Sequence, residues 1–150
     1  MKRNSQKPTI GVIGHTGMVG SQVYYYFKKK YKTTGVSKFK TGRTNGSWEK
    51  LNNCQVIFVC VPTPFNFKSK RANFESVEEV LGKIKGNKIV VIKSTIWPGT
   101  TEQLQKKYKS LKLVFNPEFL SRSSAKNDFE KPDRQIVGVT AKSKPSPGQF

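Results

Sequence analysis

The sequence predicts an α/β fold: a Rossmann-like, doubly wound and mainly parallel sheet of about six strands, shortened in its first half. Three observations predict it. Short apolar blocks alternate with amphipathic segments of about ten residues. The first block runs directly into a glycine-rich turn. The most apolar block, QVIFVCV, is nearly continuous, as in a strand covered on both faces.

Each element follows from its own pattern. Thr9–Ile13, bounded by Pro8 and Gly14, is β-branched and short, a buried strand. Val19, Val23, Phe27 and Tyr31 recur every four residues and mark one face of a helix, with Lys28-Lys29-Lys30 largely elsewhere. Thr34–Ser37 is a weak second strand, and Ser47–Asn52 a short helix with Trp48 and Leu51 turned inward. Gln55–Val61 is the central strand, stopped by Pro62-Thr63-Pro64. Phe74, Val77, Leu81 and Ile84 define a further helix that Gly86-Asn87 ends. Lys88–Lys93 is a strand, and Thr100 with Gln103 resembles a capping box opening the next helix. Lys112–Phe115 and Gln135–Val139 supply two more strands. Residues 1–139 form the expected single dinucleotide-binding domain, with 140–150 a disordered tail of Pro, Ser and Lys.

Composition narrows the partners. No apolar run approaches the roughly 20 residues of a membrane helix, and no secretory pattern is present, so the expected location is cytoplasmic. Cys54 and Cys60 have no ligand-spaced companion, and the single histidine is His15, so no metal site is expected. Both read as small buried residues. His15 reads as a loop residue facing solvent. Twenty-eight Lys and Arg against nine acids give a net charge of +19, and the first 48 residues hold no acid. That field favours anionic partners without specifying one, and a solubilising surface is the plainer account. Weak non-specific nucleic-acid binding is expected from it.

The candidate chemistry lies at strand ends. Gly14-His15-Thr16-Gly17-Met18-Val19-Gly20 joins the first strand to the first helix, where backbone N–H groups and the helix N-terminus can meet a pyrophosphate. A turn without a ligand remains open. Val61-Pro62-Thr63 and Ser94-Thr95 follow later strands; there Pro62 either stiffens a crevice or only ends its strand. Asn116–Leu120 (NPEFL) and Asp128–Arg134 (DFEKPDR) complete the set. At the second strand's end stand Ser37 and Lys38, with Arg43 beyond, and no acid. A basic ribose pocket would tolerate or prefer a 2′-phosphate, so the expected cofactor is NAD or NADP.

The order IGVIG–GMVG, VFVCVPTP, KST–PGTT, NPEFL and D–PDR resembles the N-terminal domain of the UDP-glucose and GDP-mannose dehydrogenase family over roughly residues 9–139. The resemblance implies an oxidoreductase that converts a nucleotide sugar's C6 alcohol to a carboxylate in two NAD-dependent steps, through a thiohemiacetal on a cysteine. It implies that Gly14, Gly17, Val19, Gly20 and Thr63 contact the dinucleotide. Thr95 and Glu118 would lie at the reaction centre, and Phe119 and Leu120 in the stretch whose backbone holds a UDP-sugar.

Four departures accompany it. The glycine loop is one residue longer than G-x-G-x-x-G, the segment before VCVPTP is short, the ribose-binding acid is absent, and Arg122 stands where a second glutamate is expected. The cysteine-bearing domain of the family does not fit after residue 139, so the expectation is a cofactor domain inactive alone, truncated or complemented by a separate catalytic chain. The alternative is a basic, non-enzymatic module for nucleic acid or another polyanion.

Overall fold

The computed structural model describes residues 7–38, 44–68 and 70–145. In chain order the elements are β1 (Ile10–Ile13), α1 (Met18–Lys28), β2 (Thr33–Lys38), β3 (Thr44–Asn45), α2 (Trp48–Asn52), β4 (Val56–Val59), β5 (Phe65–Asn66), β6 (Arg71–Ala72), α3 (Glu75–Lys83), β7 (Ile89–Ile92), α4 (Thr100–Lys107), β8 (Lys112–Phe115), α5 (Ala125–Glu130) and β9 (Gly138–Val139). A seven-stranded sheet has the order β3-β2-β1-β4-β7-β8-β9, and β5 with β6 makes a separate small hairpin. The five inner strands pair in parallel, while the two-residue β3 and β9 lie antiparallel at the edges.

Alternation along β4 shows how the layers arise. Ile57 and Val59 join the larger core with Leu51, Val77, Leu81, Leu104 and Leu113. Val56 and Phe58 turn the other way, to Val23 and Phe27 of α1. Successive side chains of a strand point to opposite faces, so a strand apolar on both is covered on both. Helices α2, α3 and α4 cover one face; α1, joined by Phe129 of α5, covers the other.

The expected β-strands and helices occur, with three local corrections. Helix α4 is not opened by a Thr100–Gln103 box: its N-cap is Gly99, at φ +84, with no side-chain bond, and Thr100 is buried inside the first turn. The last strand is shorter than Gln135–Val139, because Asn116 Nδ2 donates to Gln135 Oε1 and Ile136 O (3.1 and 2.7 Å), holding that stretch by a side chain instead of a ladder. The tail does not begin at 140. Thr140 is 4% exposed and its hydroxyl donates to Gln105 Oε1 (3.0 Å), and a turn continues through 143. Among the described residues no helix is long and apolar enough to cross a membrane.

Candidate functional site

Register places four strand ends on one edge, since Ile13 pairs with Val59, Val59 with Ile92, and Ile92 with Phe115. The loops after them therefore leave the sheet side by side. The chain runs from β1 outward to β2, then returns to β4 on β1's other side, and such a reversal opens a crevice.

The glycine loop occupies that reversal. Gly14 has φ +83, and a Cβ there would lie 2.4 Å from Cys60 O on the neighbouring strand. A Cβ on Gly20 would lie 2.1 Å from Gly14 O, so the first turn of α1 rests directly on the loop. The additional loop residue is absorbed in a tight turn, closed by Gly17 N donating to Gly14 O (3.0 Å). Gly17 is the N-cap of α1, with no side-chain cap and no acid in the first turn. The leading N–H groups of a helix lack intrahelical partners and carry its positive end, so this start is open to an anion. Met18 is exposed, while Val19 packs toward Val23.

Beside the loop lies a cavity of about 430 Å³, bounded by Gly14, Thr16 and Gly17, by Val61 and Pro62, by Ser37 and Lys38, and by Trp48. Thr63 stands half-buried just beyond Pro62. His15 does not face solvent as expected. Its Nδ1 is 2.9 Å from Ser37 Oγ, its ring lies over Gly35 and 5.2 Å from Tyr24, and Thr16 N donates to the same Ser37 hydroxyl (3.1 Å). Arg43 lies outside the described residues.

A second cavity, of about 530 Å³, opens between the loop after β8, helix α5 and the segment that follows it, with Lys93 at the end of β7 beside it; Glu118, Phe119, Leu120, Asp128 and Arg134 line it. Lys93 ends the apolar strand β7 and is only 5% exposed. Its ammonium donates to Asn116 O and Oδ1 (3.2 and 3.0 Å), and burial lowers its pKa. Glu118 Oε2 is buried without a hydrogen-bond partner, and burial raises that carboxyl's pKa against the opposing pull of Lys93. Phe119 is 58% exposed, with the Arg134 guanidinium 5.8 Å from its ring centre.

Among the described residues the motifs share one edge, with the glycine loop, Val61 and Pro62 lining the first cavity and Glu118, Phe119 and Leu120 the second. Between them, the Ser94 hydroxyl is buried and donates to Val61 O (2.7 Å), tying β7's end to β4's. Thr95 is exposed and is not among the residues lining either of these two cavities. Arg122 lines a separate concavity beside Gln22 and Glu130. Burial pushes the Cys60 thiol up to about 12, which leaves it neutral and a poor nucleophile.

Sequence reasoning placed Lys93, Asp128 and Arg134 inside candidate segments but gave none of them a role. The signal for the first was legible: a lysine closing an otherwise apolar strand must either reach water or find oxygens. Asp128 accepts from Ser121 N (3.0 Å) and Ser124 Oγ (2.7 Å), fixing the loop that carries Phe119 and Leu120. Nothing in spacing announced that contact.

Residues 22–147 match the NAD binding domain of the UDP-glucose/GDP-mannose dehydrogenase family. A UDP-glucose 6-dehydrogenase of Rickettsia bellii is 35% identical over 121 residues, covering 75% of this chain and 28% of that protein. The chain spans about a quarter of the length of the curated relatives it matches. Among solved structures, a UDP-glucose dehydrogenase from Pyrobaculum islandicum aligns with TM-score 0.73 at 24% identity, covering 93% of this chain and 42% of the other. A GDP-mannose dehydrogenase from Pseudomonas aeruginosa aligns with TM-score 0.72 at 22% identity, covering 87% and 41%. These two likenesses are of fold.

Proposed function

The chain belongs to the UDP-glucose/GDP-mannose dehydrogenase family, and from that premise we propose that it is the nucleotide-cofactor domain of a UDP-sugar dehydrogenase-type oxidoreductase. The observation that carries this reading is the uncapped start of α1 beside the 430 Å³ cavity. The N–H groups of Met18, Val19 and Gly20 would face the pyrophosphate, with Gly14, Thr16 and Gly17 forming the turn beneath it. Val61, Pro62 and Thr63 would wall the crevice, and Ser94 would brace it. When bound, the dinucleotide accepts a hydride; orientation and water exclusion fall to the protein.

Glu118 is the group best suited to chemistry in the second cavity. A carboxyl whose pKa is raised by burial keeps its proton to higher pH than an ordinary glutamate and is a stronger base once ionised. In this reading Thr95 assists water with it, and the backbone at Phe119 and Leu120 holds a UDP-sugar. A further region carrying the nucleophile, on this polypeptide or on a separate chain, would complete the site. Two free cysteines support a cytoplasmic location.

The test is Gly17→Asp. At φ −79 an aspartate is a favoured N-cap, so the fold should hold or gain stability. Its carboxylate, however, would occupy the place of the pyrophosphate and repel it. Calorimetric titration with NAD+ should show binding by the parent chain and a loss of about tenfold or more in the variant. Equal affinity would remove α1 from the site.

The net charge of +19, with exposed Tyr25 and Tyr26 beside Lys28–Lys30, also supports weak nucleic-acid binding. That affinity should fall steeply with added salt and ignore sequence; binding that survives salt would favour the non-enzymatic alternative.

A further inference from the structure

We propose that the cavity beside the glycine loop holds the 2′-phosphate of an NADP-type cofactor, at the end of β2, and so prefers NADP+ to NAD+. The inference rests on the cofactor-domain reading above and deepens it.

A dinucleotide whose pyrophosphate sits on α1 lays its adenosine ribose against the carboxyl end of the second strand. A site for an unphosphorylated ribose needs a carboxylate there to accept the 2′- and 3′-hydroxyl protons. Here the strand ends in Ser37 and Lys38. The Ser37 hydroxyl is buried and already engaged by Thr16 N and His15 Nδ1, which fixes its position instead of leaving it free for a diol. Lys38 is exposed, and Thr44 pairs with it across β3, bringing a second hydroxyl to the same rim.

Among the described residues the one carboxylate lining this cavity is Glu79 of α3, and it is already committed. Its Oε1 lies 2.6 Å from Lys83 Nζ and 3.9 Å from Lys38 Nζ, so a single acid is shared by two ammonium groups. The hydrogen bond from Lys83, with the two lysine charges, lowers its pKa and keeps it ionised. Lys83 is therefore sufficient to neutralise Glu79. Lys38, at the longer distance, is the partner that can turn to a ligand. A phosphate monoester carrying about −1.5 to −2 charge gains from that cation; a neutral ribose hydroxyl gains little. Trp48 gives the adenine an apolar wall in the same cavity.

The experiment is paired titration of the intact 150-residue chain with NADP+ and NAD+ by calorimetry at fixed low salt, with Lys38→Glu as the variant. The parent should bind NADP+ about tenfold tighter than NAD+. The variant should reverse the order, because the new carboxylate repels a phosphate and accepts ribose hydroxyls. A thermal melt checks that it folds, and Lys38 is exposed on an edge pair. Equal or tighter NAD+ binding by the parent overturns the 2′-phosphate site and leaves the cofactor reading standing. An unchanged NADP+ preference in Lys38→Glu overturns the assignment to Lys38. If neither cofactor binds, the cofactor reading itself fails and this inference falls with it.

Discussion

At the residue scale, the glycine loop and Glu118 carry the sharpest consequences. Gly14 combines φ +83 with a backbone oxygen 2.4 Å from any added Cβ, so Gly14→Ala should cost about 3 kcal/mol in denaturant unfolding. Gly17, whose Cβ would meet only Gly14 O at 3.3 Å, should tolerate substitution in folding while losing ligand. Unfolding midpoints that rank the two the other way would contradict the loop geometry. For Glu118 the sign follows from its raised pKa. Between the ordinary value of 4.5 and the folded value, the native state keeps a proton that the unfolded chain has released. Stability therefore falls as pH rises through that window and stays lower above it. Glu118→Gln should unfold at higher denaturant than the parent at pH 7 and at the same denaturant below about pH 4. A variant no more stable at neutrality would show that the orphaned oxygen is satisfied in solution.

At the scale of elements, Gln105 joins three of them. Its amide donates to Leu111 O (2.8 Å), and its oxygen accepts from Leu113 N (2.9 Å) and Thr140 Oγ1 (3.0 Å), all buried. Helix α4, strand β8 and the turn after β9 therefore share one polar side chain. Gln105→Ala strands a strand N–H and a carbonyl away from water and should cost about 3 kcal/mol. Thr140→Val should cost about 1 kcal/mol, since Gln105 keeps its other bonds. Equilibrium unfolding of both variants and their double mutant measures the coupling; strictly additive losses would mean the network does not act as a unit. A chain ended at 139 should be measurably less stable than the full one, as Thr140's place in the core requires.

At the scale of the molecule, the 150-residue polypeptide alone should not oxidise UDP-glucose. The reaction to an acid needs a thiolate to trap the aldehyde and a base for the alcohol proton. Cys60 is buried with its thiol pushed up to about 12, and burial also raises the pKa of Cys54. Glu118 and Thr95 follow strands that end on the same edge, and neither is a nucleophile that could form the thiohemiacetal. The assay is reduced-cofactor absorbance with UDP-glucose, for the parent and Cys60→Ser; both should stay at background. Robust turnover in the parent, lost in Cys60→Ser, would make that thiol the nucleophile despite its burial.

The sequence by itself determined the alternation of strands and helices, the buried central strand, and which loops carry polar groups. These rest on local periodicity: QVIFVCV is apolar on both faces wherever it lies, and a glycine turn between strand and helix has few other uses. The same locality explains where it failed. Whether Ser94 faces a ligand or Val61 O, whether His15 meets solvent or Ser37, and whether Thr95 reaches Glu118 depend on loops from different strands meeting in space. The motifs follow parallel strands and so share one edge; the tertiary structure sets the glycine loop and Glu118 in different cavities and pins the β4 and β7 ends together by the buried Ser94 hydroxyl. Lys93 shows the same division of labour. Its position at the end of an apolar strand was visible in the sequence, but only the fold brought Asn116 within 3.0 Å, because burying an ammonium is tolerable only where oxygens from another strand converge on it.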